Sequence, residues 1–181
     1  ESVNKAPAFF DIKKLNHINS HYIAAMSTEV FADEASRYIS TIGWKPPYFD
    51  MAALEALTPF LQQRATRISD VVPLLDWVFE DELPQETDEK EINKMTKAMG
   101  AELVPDILEE AIGRLQDCQW DAETLSKEIR EVGDELNTKS QVPVRIAVTG
   151  RRTGLPLFEP MAYLSRERVL RRLQIARSNL R

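Results

Sequence analysis

The chain has 181 residues, a formal net charge of −6 and 43% hydrophobic residues, enough for a core in one domain or two small ones. Its single cysteine, Cys118, excludes an internal disulfide and a zinc site built from several cysteines. The sequence has no run of about 20 apolar residues that could cross a membrane, and no signal-peptide pattern opens it. We therefore expect a cytoplasmic monomer that has no membrane partner.

Charge is unevenly distributed along the chain. The 39 residues from Pro143 to Arg181 contain nine arginines and two glutamates, whereas the residues before them carry an acidic excess. Every cation in this C-terminal segment is an arginine, and arginine binds phosphate through two hydrogen bonds and stacks on exposed bases. The segment therefore indicates a surface for a polyanion, and for nucleic acid in particular.

The apolar residues of the first half recur with helical spacing. Asp11 and Thr28 are expected to cap the first two helices, and Gly43 to end the second. Asp50 is expected to cap a short third helix through Leu57. The apolar stripe of the first helix consists of Leu15, Ile18, Tyr22, Ile23 and Met26.

A new helix is predicted to begin at Thr58, because Pro59 would then occupy the first turn, where its missing N–H costs nothing. A further helix is predicted from Ser69 or Asp70 to Phe79. Seven of the twelve residues from 80 to 91 are acidic. Such a run resists burial, so it predicts a solvated hinge between two parts of the chain.

Beyond the hinge the pattern is again helical, with one exception. Helices are predicted at Thr87–Met99, Pro105–Asp117, Asp121–Asn137 and Leu164–Leu180. In the last of these, the apolar residues fall on one side and Arg168, Arg171 and Arg172 on the other. Val144, Ile146 and Val148 alternate as in a strand, so this segment stays open between a strand and a short buried helix. The prediction is an all-α fold with that one segment undecided.

The segment Thr149–Pro156 is the main candidate for a binding site. It contains two glycines, two arginines and two threonines directly before an apolar stretch. Glycines let a backbone approach a ligand, threonines and N–H groups read base edges, and arginines bind phosphate. A polar turn that merely joins two helices is the alternative.

Arrangements typical of catalysis or metal binding are missing from the sequence. It has no Gly-rich phosphate loop, and no Ser/His/Asp or Cys/His grouping. His17 and His21 are four residues apart, but no third ligand is evident, so we expect no metal site. Lys94–Lys97 is similar to the ATP-binding Lys-Met-Ser-Lys loop of class I aminoacyl-tRNA synthetases, but it lies within a helical pattern.

Three stretches of the chain resemble bacterial glutamyl-tRNA synthetase. The first comprises Pro143–Gly150, Gly154–Glu159 and Leu164–Leu173, which are similar to the C-terminus of that family, with Ser165 where glycine is usual. The other two occur earlier in the chain and in the same order as in the family. They are Phe10–Asn19, similar to a Phe-Asp-x-x-Lys-Leu helix of the stem-contact region, and Gln63–Ala65 followed by Ile68.

The resemblance implies an all-helical cage in two subdomains that reads the anticodon of tRNA(Glu). It implies the end of the stem-contact fold at residues 1–26, a first subdomain at 27–84 and a second at 85–181. It also favours a helix over residues 143–149. The family's nucleotide-binding motifs are missing here, so we expect a fragment of a glutamate–tRNA ligase with no catalytic residue or cofactor of its own. The parent enzyme would use ATP and Mg²⁺.

The resemblance also implies which residues contact tRNA. Arg145 matches an anticodon-contacting arginine, and Gly154–Leu155 lies where family members place a turn against the first anticodon base, although the Thr-Pro of some members is missing. An arginine of the first subdomain contacts the third base, and Arg64 and Arg67 are both candidates. The predicted tRNA-binding residues are Arg64, Arg67, Arg145, Thr149, Arg151, Arg152, Thr153, Gly154 and Leu155.

Two alternatives stay open at this point. A parent enzyme of the same fold could be non-discriminating and also charge tRNA(Gln). The chain could instead be a helical protein-interaction module, with its leucine and isoleucine stripes as a groove and its arginines as a solvated flank.

Overall fold

A computed structural model describes residues 11–81, 93–94, 96–97 and 103–180. The described residues form α-helices joined by short turns, without a β-strand, so the all-α prediction is confirmed. Most of the predicted helix Thr87–Met99 lies outside the described residues, but the backbone at 93–94 and 96–97 is helical. The predicted boundary between residues 84 and 85 also lies outside them and stays a prediction.

The first half of the chain contains four α-helices among its described residues, and most of their caps follow the sequence. The helices are α1 Ile12–Ala25, α2 Thr28–Ile42, α3 Met51–Arg64 and α4 Val71–Phe79, with a 3₁₀ turn at Ile68–Asp70. Asp11 and Asp50 cap α1 and α3 as predicted, and Gly43 ends α2 with a left-handed φ of 67°. The cap of α2 is Ser27 rather than Thr28, because the Ser27 hydroxyl accepts the Val30 N–H.

Helix α3 runs through Pro59, so the predicted helix boundary at Thr58 is wrong. A proline within a helix leaves the carbonyl four residues earlier without its N–H partner. That residue is Glu55, which is exposed, so water can bond to its carbonyl. The Thr58 hydroxyl donates to the Leu54 carbonyl at 2.8 Å within the same turn. The buried residues of α3 continue on both sides of the proline, at Ala53, Leu54, Leu57 and Leu61.

The second half of the chain contains residues 143–149, which the sequence left open between a strand and a helix. Its helices are α5 Leu103–Asp117, α6 Ala122–Glu135, α7 Gln141–Thr149, α8 Phe158–Met161 and α9 Arg166–Ser178. The strand-like alternation lies in α7, which is helical, as the resemblance implied. Most side chains of α7 are buried, and a helix that is apolar on nearly all sides lacks the usual helical periodicity.

Helices from the two halves of the described chain pack against each other. Helix α9 packs against α5 and α7, α4 packs against α7, and α3 packs against α8. Apolar residues from both halves belong to one connected buried cluster. The predicted inward stripe of α1 is largely wrong, since Ile23 is buried but Leu15, Ile18 and Tyr22 are exposed.

Two glycines within helices give a matched test of this packing. A Cβ on Gly133 would lie 2.7 Å from the Thr138 carbonyl oxygen and 2.9 Å from the Ser140 hydroxyl oxygen. That hydroxyl is itself held by the Ile129 carbonyl. We expect Gly133→Ala to lower the free energy of unfolding by about 1–3 kcal/mol in urea denaturation.

Gly113 is the control, because it lies exposed within α5 and a Cβ there would meet no atom within 4 Å. Gly113→Ala should raise the free energy of unfolding by about 0.5–1 kcal/mol, since alanine loses less backbone freedom in a helix. Equal changes in the two variants would contradict the packing described around Gly133.

Candidate nucleic-acid interface

Six of the nine predicted tRNA-binding residues lie around one small cavity between α4 and α7, which we call the crease. The α4 wall is formed by Pro73, Leu74 and Trp77. The opposite wall is formed by Arg145, Thr149, Arg151, Thr153, Gly154 and Leu155. The cavity measures about 30 Å³, which is room for roughly one water molecule. The crease is therefore nearly closed, and its rim is the surface that a ligand would meet.

The turn after α7 has a shape that two glycines permit. Gly150 ends α7 with φ of 69°, and Gly154 has φ of 148°, both in the region that side-chain-bearing residues avoid. The Thr149 hydroxyl accepts the Arg151 N–H at 3.1 Å and donates to the Arg151 carbonyl at 3.0 Å. Thr149 and Leu155 are buried, so their side chains support the turn from within.

Arg145 connects α7 to this turn. Its Nη1 donates to the Leu155 carbonyl oxygen at 2.8 Å, and the side chain is half-buried. Burial lowers the pKa of Arg145, the guanidinium of Arg64 lowers it further, and Glu159 partly offsets both. Arg64 of α3 therefore lies close enough to Arg145 for the two positive charges to repel each other.

Of the two arginines considered for the third anticodon base, only Arg64 acts electrostatically on Arg145 among the described residues. Both side chains are exposed. Arg67 instead pairs with Asp70, at 3.1 Å between Nη2 and Oδ1. The two arginines therefore differ in their surroundings, and neither of them lines the crease cavity.

Arg151 bonds to α4, and its side chain is 30% exposed. Its guanidinium makes two hydrogen bonds to the Asp76 carboxylate, the one to Oδ1 at 2.7 Å, and a further one to the Pro73 carbonyl. The Asp76 carboxylate raises the pKa of Arg151. Arg152 and Thr153 follow with exposed side chains, so the rim of the crease presents these two residues to solvent.

Arg145 also lines a larger cavity of about 500 Å³, together with residues of α6, the start of α7 and α8, and this volume is in the range of ligand pockets. Its basic residues besides Arg145 are Arg130 and Lys139, and its acidic residues are Asp134 and Glu159. Arg130 and Lys139 are not among the tRNA-binding residues predicted from the sequence. Neither belongs to a motif, and only the packing of α6 against α7 and α8 brings them beside Arg145.

Most other arginines of the C-terminal segment that the structure describes have partners within the protein. Arg168 and Arg172 are buried against α4, although the helical pattern placed both opposite the apolar side. The reason is that α9 packs on more than one side. The remaining partners are the Gln116 and Cys118 carbonyls for Arg166, Asp81 for Arg171 and Glu109 for Arg177.

The described part of the chain offers little for other kinds of site. No helix within it has the length and apolar character needed to cross a membrane. It also holds no group of three or more histidine, cysteine or acidic side chains suited to a metal ion. His17 and His21 are exposed, with their Nε2 atoms 3.3 Å apart.

Arginine side chains stack on unpaired bases and bind phosphate, so the crease and its rim carry residue types that bind single-stranded RNA. The sequence model of the anticodon binding domain family matches residues 30–177. The chain belongs to this family.

Curated relatives of the chain are glutamate–tRNA ligases. The chain is 41% identical to the protein of Frankia casuarinae, over 98% of this chain and 38% of the relative. It is 36% identical to the protein of Thermobifida fusca, over 100% of this chain and 38% of the relative. The chain thus spans about two fifths of the length of the curated relatives that it matches.

Solved structures show the same fold. The glutamate tRNA ligase of Elizabethkingia meningosepticum superposes with a TM-score of 0.74 at 17% identity, covering 99% of this chain and 34% of that one. The glutamate–tRNA synthetase of Elizabethkingia anophelis gives 0.63 at 16% identity, covering 97% and 33%.

The Arg151–Asp76 pair can be measured by a double-mutant cycle with Arg151→Ala and Asp76→Ala. Both side chains are less than one-third exposed and share two hydrogen bonds. We expect a coupling energy of about 1 kcal/mol or more in the free energy of unfolding. The matched control is the more exposed Arg37–Glu34 pair of α2, where we expect about 0–0.5 kcal/mol. A coupling no larger than in the control would show that Arg151 does not hold the turn to α4.

Proposed function

We propose that this chain is the anticodon-binding region of a glutamate–tRNA ligase and that it binds the anticodon loop of tRNA(Glu). The observation that carries the proposal is that Arg145 and residues of the turn after α7 line one crease. The positive charge of Arg64, from α3, also acts on Arg145. The repulsion between these two guanidinium groups raises the free energy of the unbound chain. The two groups become favourable when electron-rich base edges or a phosphate lie between them.

Arg145 has the geometry of a residue that reads a base. The Leu155 carbonyl engages one of its N–H groups and fixes the direction of the guanidinium. A guanidinium has five N–H donors, so others can point to an unstacked base. Because the side chain is already held, less conformational freedom is lost when the base binds.

The residues around Arg145 supply the rest of the proposed interface. Arg152 and Thr153 would bind the sugar–phosphate backbone at the rim, which positions the loop without reading its sequence. Arg64 would contact the third anticodon base. The 500 Å³ cavity beside Arg145 gives a further unstacked nucleotide room, with Arg130 and Lys139 near its phosphate.

In the whole enzyme, we place this binding at a distance from the reaction itself. Anticodon binding would orient the acceptor end of the tRNA at a separate catalytic site, where ATP with Mg²⁺ and glutamate react. In support, this chain covers only 38% of the two glutamate–tRNA ligases compared above, which leaves most of such a protein for a separate catalytic part. The proposed enzyme is a cytoplasmic monomer.

Arg145→Ala in the full-length enzyme tests the proposal directly. We expect kcat/KM for tRNA(Glu) to fall by about 5- to 150-fold, since loss of a base-reading arginine costs about 1–3 kcal/mol. The KM values for ATP and glutamate should stay unchanged in aminoacylation assays. Arg177→Ala is the control, because Arg177 pairs with Glu109 away from the crease residues. Unchanged aminoacylation in Arg145→Ala would refute the role of Arg145. Parallel assays with tRNA(Gln) measure discrimination.

Arg152→Ala tests the phosphate contact separately. The tRNA affinity of the full-length enzyme should fall by a similar factor for all anticodon sequences, and the dependence of log K on log salt should lose about one unit of slope. Binding of labelled tRNA(Glu) between about 50 and 200 mM salt measures both quantities. Affinity that does not respond to salt would instead favour an apolar interaction module.

A further inference from the structure

Two arginines of α9 hold the C-terminal end of α4. Arg172 donates from Nη1 to the Trp77 carbonyl at 2.7 Å and from Nη2 to the Glu80 carbonyl at 2.9 Å. Arg168 donates from Nη1 to the Val78 carbonyl at 3.0 Å and also bonds to the Glu80 carbonyl. The last carbonyls of a helix have no partner within the helix, and the negative end of its dipole attracts cations. Arginines from another helix thus cap α4.

Both arginines are almost fully buried. Arg168 is 6% exposed and Arg172 is 5% exposed, and the Arg168 guanidinium carbon lies 3.9 Å from the centre of the Tyr48 ring. Burial lowers the pKa of both groups, that of Arg172 to about 10. Within the described chain, the Nε atoms of both are buried without a partner.

Stability alone is a poor explanation for this arrangement. A buried charge loses hydration, and apolar residues of similar volume often replace buried ionic groups without loss of stability. What the guanidinium adds is a fixed geometry, because its planar fork joins several acceptors at set distances.

Arg172 joins the two walls of the crease. Besides the Trp77 carbonyl of α4, its Nη1 also donates to the Val148 carbonyl of α7 at 3.0 Å. Trp77 itself lines the crease, and Val148 directly precedes Thr149, which lines the other wall. One side chain therefore spans from α4 to α7 behind the cavity.

We infer that Arg172, assisted by Arg168, is a positioning residue for anticodon binding, which fixes the separation of α4 and α7 and thereby the place of Arg145 at the crease. Arg172 does not touch RNA; it acts through the two helices that it joins. The inference rests on the proposed function and assigns this arrangement a role in specificity. A lysine has no rigid fork to join both carbonyls, and a methionine of similar length donates no hydrogen bond.

The test uses Arg172→Met and Arg172→Lys in the full-length enzyme. We expect the KM for tRNA(Glu) to rise by about 10- to 100-fold in both, because a shift of about 1 Å in a positioned group has effects of this size. The kcat at saturating tRNA and the KM values for ATP and glutamate should stay near wild type. Arg177→Met is the matched control. Arg177 lies in the same helix as Arg172, but its partner is Glu109 rather than a carbonyl of α4 or α7.

The division between KM and kcat separates positioning from simple stabilisation. A variant that merely unfolds in part loses active enzyme, so its kcat falls while its KM is kept. A wild-type KM for tRNA(Glu) in folded Arg172→Met and Arg172→Lys would overturn the inference. If Arg172→Met does not fold, Arg172→Lys and Arg168→Met carry the same measurement.

A crystal structure of Arg172→Met or Arg172→Lys tests the bridge without reference to RNA. We expect a changed separation of the Trp77 and Val148 carbonyl oxygens, and an unchanged separation would overturn the inference. If the tRNA affinity of the wild-type enzyme does not depend on the anticodon sequence, the proposed function is overturned, and the positioning role with it. In that case, a changed separation in the Arg172 variants would still establish that Arg172 joins α4 and α7. The failure of the inference and the failure of the proposed function are therefore distinguishable.

Discussion

The crease depends on hydrogen bonds between buried guanidinium groups and the carbonyl ends of helices. Arg172 satisfies carbonyls of both α4 and α7, whose intrahelical partners are missing at their C-termini. Arg151 closes the other side by binding Asp76 of α4. These bonds place Trp77, Arg145 and the turn after α7 in one arrangement. Without them, apolar packing alone would have to hold two walls at a defined separation.

The arginines of the C-terminal segment therefore have two kinds of role. Arg168 and Arg172 bond to backbone inside the protein, and Arg151 pairs with an acidic partner of the first half. Arg145 and Arg152 keep donors near or at the surface beside the turn. Among the described residues, the positive surface of this segment is therefore smaller than its composition indicates. The number of arginines in a segment therefore predicts a binding surface only when the arginines that bond within the protein are left out of the count.

Local interactions account for the parts of the fold that were predictable. Caps at Asp11 and Asp50, the end of α2 at Gly43 and the start of α6 at Asp121 depend on residues a few positions apart. The predicted break at Pro59 failed because burial on both sides of the proline outweighs one lost hydrogen bond. The strand-like pattern of α7 misled because a helix buried on nearly all sides loses its periodicity.

The sequence by itself determined the helical class, the chain order of the helices and the turn with its two glycines, since these follow from local preferences and spacing. The tertiary structure alone decided which arginines reach solvent. A helical pattern separates an apolar side from a polar side, but it does not show what packs against the polar side. Helix α9 buries Arg168 and Arg172 there because the carbonyl end of α4 lies against them, and that end is about 90 residues earlier in the chain.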